Sequence, residues 1–175
     1  LTSVIDIQRA RLDLKVKKGY RNWVSQFSEV FKSGTRLSDI SLKTIMFLAQ
    51  GRDKSAFYLY DLIMNLQDLG SGFELNELHT SEKMLVMDRY LFLLDRIRYE
   101  YMKRLGWLEG YPGQGLTLVE MIIHFEQLAP GLQAKAPTLS QDHPGYSRFS
   151  KMNAFEKEEF IRKLIPEAIK KIQDH

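Results

Sequence analysis

The stretch from Ser81 to Leu105 constrains the fold more than any other part of the chain. Met84, Met87, Leu91, Leu94, Tyr101 and Leu105 recur at helical spacing, and Tyr90, Leu93 and Ile97 widen the apolar side. Charge is confined to a stripe around Asp88, Arg89, Asp95 and Arg96. A helix this apolar must be covered by neighbours on several sides, so the spacing predicts a central helix over about 81–105. Gly106 supplies its stop, with Trp107 and Leu108 placed to pack back on the last turn.

Helical signals surround this segment. Thr117 with Glu120, and Asn153 with Glu156, are capping boxes, in which each residue of a pair satisfies a backbone N–H near the other. The first predicts a helix to about Ala129, ended by Pro130 and Gly131. The second opens a last helix with early acids and late lysines, in which Pro166 is expected to make a kink or a fresh helix start. Ser38 reads as the N-cap of a helix ending at Gly51, and Asp53 as the cap of one running to Leu69. At the start, Leu12, Leu14 and Val16 alternate with charged residues, as in a strand. A helical reading of Ile5, Leu12, Val16, Tyr20, Trp23, Phe27 and Val30 covers more residues. It is preferred, with Gly19 as a weak point and Ser33-Gly34 as the end. The expected fold is all-α, an irregular bundle of five to seven helices around the central one. Residues 1–175 are expected to form one domain of ordinary size, with a basic N-terminal arm (1–19) and an extended Pro-containing connection (130–150). In that connection Pro130, Pro137 and Pro144 are each followed two residues later by Leu132, Leu139 or Tyr146, which would anchor it.

Composition excludes several chemistries. The chain has no cysteine, so disulfides, thiolate nucleophiles and cysteine-based metal sites are out. The longest apolar runs, Ile45 to Ala49 and Tyr90 to Leu94, fall far short of the roughly 20 residues a membrane span requires. The opening Leu1-Thr2-Ser3-Val4 shows no basic start and no apolar stretch, so no secretory signal is expected and cytoplasm is the expected location. Net charge is +3, but Arg9, Arg11, Lys15, Lys17, Lys18 and Arg21, opposed only by Asp13, alone sum to +5. The remainder of the chain is therefore slightly acidic.

That basic segment is the sharpest functional hint. Flanked by Tyr20 and Trp23, it could meet nucleic-acid phosphates and stack on a base, or lie on anionic lipid as an amphipathic helix. The plainer reading is a solvated helix face, with Trp23 in the core. Glu120 and His124 stand four apart with Gln127 beside them, a spacing that could hold a metal. No Glu-x-x-His pair of a di-metal bundle occurs, since His79-Thr-Ser-Glu82 runs the wrong way, and a solvated Glu–His pair is the preferred reading. The histidines His79, His124, His143 and His175 are scattered, and neither His-Glu-x-x-His nor Gly-x-Ser-x-Gly occurs. Gly110 to Gly115 lacks the Gly-Lys-Ser/Thr of a phosphate loop and is expected to join two helices. Arg98 lies near the central seam, where burial would call for a carboxylate such as Asp61 or Glu120.

No cofactor, metal site or catalytic residue is expected. The leading reading is a non-enzymatic interaction or scaffold domain whose partner is another protein or a second copy. A nucleic-acid accessory role through the basic segment is the first alternative. An enzyme or ligand binder with an interhelical pocket, drawing on Asp61, Arg98, Glu120 and His124, is the second.

Overall fold

A computed structural model describes residues 3–174; His175 and the opening Leu1-Thr2 lie outside them. The first helix, α1 (Val4–Phe27), starts at a capping box in which Asp6 N–H donates to Ser3 Oγ at 3.1 Å. The segment that alternates like a strand is helical throughout. Gly19 does not break it. A Cβ at that position would come within 2.9 Å of Leu62 Cδ1, so the missing side chain lets α1 approach α3 (Asp53–Leu66) closely. The end comes earlier than Ser33-Gly34: Ser28 takes a left-handed φ of 54°. The turn folds Phe31 back onto Tyr20, Trp23 and Phe27, and Phe47 and Tyr58 extend this aromatic cluster. The Trp23 indole N–H donates to Tyr58 O at 2.8 Å. The Tyr20 hydroxyl is buried without a partner, and burial pushes its pKa up.

The second helix, α2 (Leu42–Ala49), is capped by Ser41 and not by Ser38, which sits in a preceding 3-10 turn. Gly51, at φ 66°, separates it from α3. The long helix α4 (Thr80–Arg104) falls where the spacing puts it. Gly106 N–H donates to Lys103 O and Trp107 N–H to Met102 O, both at 3.0 Å, which closes it in a Schellman motif.

Its orientation about its own axis differs from the expected seam. The buried side centres on Leu93, Ile97 and Glu100, whereas Met84 is 61% and Leu91 53% exposed. Arg89 and Arg96, expected in the solvated stripe, are buried. The Arg96 guanidinium lies 4.7 Å from the Phe92 ring centroid and donates to Pro112 O at 2.7 Å. Arg89 lies 4.7 Å from the centroid of Phe125. Arginine stems and flat guanidinium faces pack against aromatic rings, so the two arginines of the expected stripe turn inward while Asp88 stays exposed. Glu100, also buried, accepts from Arg104 Nε and the Tyr111 hydroxyl, each at 2.8 Å.

Between α4 and the expected turn at Gly110 to Gly115 a short strand intervenes, so that turn joins a strand to a helix and not two helices. β1 (Leu108–Gly110) pairs antiparallel with β2 (Thr138–Leu139), Leu108 opposite Leu139. Leu139 is thus one anchor of the 130–150 connection. That connection is also more regular than expected, because it holds the last turn of a helix ending at Gln133, then β2, then α7 (Tyr146–Phe149). The helix expected from Thr117 to Ala129 divides at His124 into α5 (Leu118–Ile123) and α6 (Phe125–Gln133), and the latter runs through Pro130. This re-aims Phe125 at Phe92 and Arg89. The last helix, α8 (Ala154–Gln173), begins at the Asn153–Glu156 box and continues through Pro166. The architecture is an all-α bundle with one small two-stranded sheet. Eight α-helical segments stand among the described residues, one above the expected upper bound of seven; the break at His124 and the four-residue α7 each add one to the count.

Candidate functional site

Two grooves and one helix face gather the chain's reactive groups. The first groove, of about 750 Å³, lies between α1, the carboxyl end of α3 and α5. Leu12, Leu66, Val119 and Ile123 supply apolar walls, and Lys15, Asp68, Glu120 and His124 supply charge and a titratable ring. The structure therefore brings Glu120 and His124 to one groove, as their spacing implies. Their company is different: Lys15 and Asp68 join them, and neither Asp61 nor Arg98 does.

Most of these groups serve the fold. Lys15 Nζ pairs with Asp68 Oδ2 at 2.7 Å. Glu120 belongs to the α5 capping box, its N–H bonded to Thr117 Oγ1 at 3.0 Å. Arg98 donates from Nε to Ala49 O at 2.8 Å and from Nη2 to Gln50 O at 3.4 Å, so it caps the end of α2 with no carboxylate partner. Asp61 is buried and satisfied by neutral donors. It accepts from Gly72 N–H at 2.8 Å, Asn22 Nδ2 at 2.9 Å and Asn65 Nδ2 at 3.2 Å. No group of three or more His, Asp or Glu placed to hold a metal occurs among the described residues.

The six basic residues do not act as one patch. Lys15 turns into the groove. Arg9 lies on the side of α1 that continues the buried seam, on a turn that runs past the body. Arg11, Lys17, Lys18 and Arg21 are exposed and make no ion pair among the described residues. Tyr20 and Trp23, the rings proposed for stacking, are buried at 1% and 0% exposure.

Sequence reasoning missed the second groove, of about 910 Å³, between the His143–Met152 segment and α8. His143 Nδ1 accepts the Gly145 N–H at 3.0 Å. The ring stands edge-on between Trp107 and Phe160. Arg148, Glu156, Glu159, Lys163 and Glu167 line the same groove with mixed charge. The adjacent Pro144-Gly145 was the only local cue, and it marks a turn, not a groove.

No helix among the described residues is long and apolar enough to cross a membrane. No family model, curated protein or solved structure matches the chain.

Proposed function

We propose that the chain acts as one non-enzymatic helical interaction domain that self-associates through α4. The observation that carries this reading is the unpartnered line Met84, Met87 and Leu91, spaced by three and four on the longest helix and open to solvent. Methionine adapts its shape to a partner and is enriched at interfaces. A second copy presents the same line, and two such faces can bury each other around a two-fold axis. The structural tasks of Glu120, Lys15, Arg98 and Asp61 support the non-enzymatic part, since each is held by a cap, an ion pair or backbone groups.

The burial of Tyr20 and Trp23 weighs against the nucleic-acid alternative, because base stacking loses its platform. Light scattering over a range of concentrations tests the proposal. The expected result is a molar mass rising from monomer toward dimer, with Leu91→Asp weakening association by at least about tenfold at unchanged helicity. A monomer at every concentration overturns it.

A further inference from the structure

The outward face of α1 has a composition that the core does not explain. At roughly 100° per residue, Leu12, Val16, Gly19, Tyr20 and Trp23 share the side turned to the body. Ile7, Ala10 and Leu14 fall on the opposite side, and Ile7 is 42% and Leu14 59% exposed. Arg11 and Lys18 flank this line on one side and Lys17 on the other. Arg21 continues it toward the carboxyl end. Asp6 and Asp13 lie beyond the Lys17 flank, so the sector itself holds no carboxylate.

We infer that this face docks on an anionic phospholipid surface. The helix lies in the headgroup plane with Ile7 and Leu14 dipping toward the acyl chains. Arg11, Lys17, Lys18 and Arg21 keep their heads at the lipid phosphates while their stems cover the apolar line. Charge selects this occupant. A second copy apposed through the same face would bring four cations against four. A nucleic acid would match the cations but leave Ile7 and Leu14 facing phosphate, and the rings that could stack on bases are in the core. A lipid surface rewards both halves of the pattern. This inference uses a different face from α4 and stands whether or not the chain self-associates.

Co-sedimentation of the full chain with phosphatidylcholine vesicles, with and without phosphatidylserine, tests it. Binding is expected only with phosphatidylserine and is expected to weaken as salt rises. Lys17→Glu with Lys18→Glu should lower vesicle affinity by at least about tenfold, and the milder Lys17→Gln with Lys18→Gln serves should the reversal disturb folding. Ile7→Gln with Leu14→Gln should lower it by about tenfold while leaving affinity for a single-stranded oligonucleotide unchanged. Three results overturn the inference: no binding to phosphatidylserine vesicles at low salt, full binding by the Ile7→Gln, Leu14→Gln variant, or tighter binding to the oligonucleotide than to vesicles.

Discussion

Glu29 shows how a single side chain ties two elements together. It lies just past α1 and accepts from Ser41 N–H at 2.9 Å, Ser41 Oγ at 2.8 Å and the Thr44 hydroxyl at the start of α2. Partial burial raises its carboxyl, but the donors from Thr44 and Ser41, helped by Arg104, outweigh that and hold it below the usual carboxylate range. A folded-state value below the unfolded one stabilises the fold above the unfolded pKa of about 4.3. That contribution is lost as pH falls through the folded value. Glu29→Gln should therefore cost about 1 kcal/mol at neutral pH, and its deficit in urea midpoint should shrink in acid. An equal deficit at both pH values would remove this role. Nothing in the sequence marks Glu29, because its partners stand 12 and 15 residues further on. The Thr117–Glu120 and Asn153–Glu156 boxes were legible because both members lie within one turn.

Among the helices, the contact of α1 with α3 depends on Gly19. Alanine is intrinsically better in a helix by about 1 kcal/mol. Here its methyl group would meet Leu62 Cδ1 at 2.9 Å, and Leu62 is fully buried, so its side chain could yield only by displacing packed neighbours. Overpacking of this kind costs about 1–3 kcal/mol, so the clash wins. Gly19→Ala should lower stability by about 1 kcal/mol in chemical denaturation; a gain would mean that the helices slide apart freely. Propensity alone reads Gly19 as a break, and only the neighbouring helix shows it to be a packing site. The same reason explains the misjudged rotation of α4. Arg89 and Arg96 look solvated in a one-dimensional pattern, since the rings that receive them, Phe125 and Tyr99 among them, lie on other turns or another helix. The extent of α4 and the start of α8 were legible because caps, glycine stops and periodicity are local, whereas α8 runs on through Pro166, where a kink or a fresh start was expected.

Across the whole molecule, burial along α1 begins only at Leu12, which packs partly against the core, and no described residue from Ser3 to Arg11 is buried. Removing residues up to Ala10 should leave the denaturation midpoint and its slope within about 0.5 kcal/mol of the full chain. A larger loss would show that the first turns brace the body. The all-α class was legible because it needs only local helical signals. The candidate site was legible in part: Glu120 and His124 share a groove as their spacing implied, while Lys15 and Asp68 arrive from distant segments that no spacing connects.

Because α1 is unbroken from its cap at Ser3 to Phe27, its two halves behave as one rigid lever. Gly19, pressed against Leu62, is the fulcrum. A tilt imposed on the outer arm would be felt at the aromatic cluster, where the Trp23 indole N–H donates to Tyr58 O. The indole there is both a structural tie and the natural optical gauge of whatever force the outer arm receives.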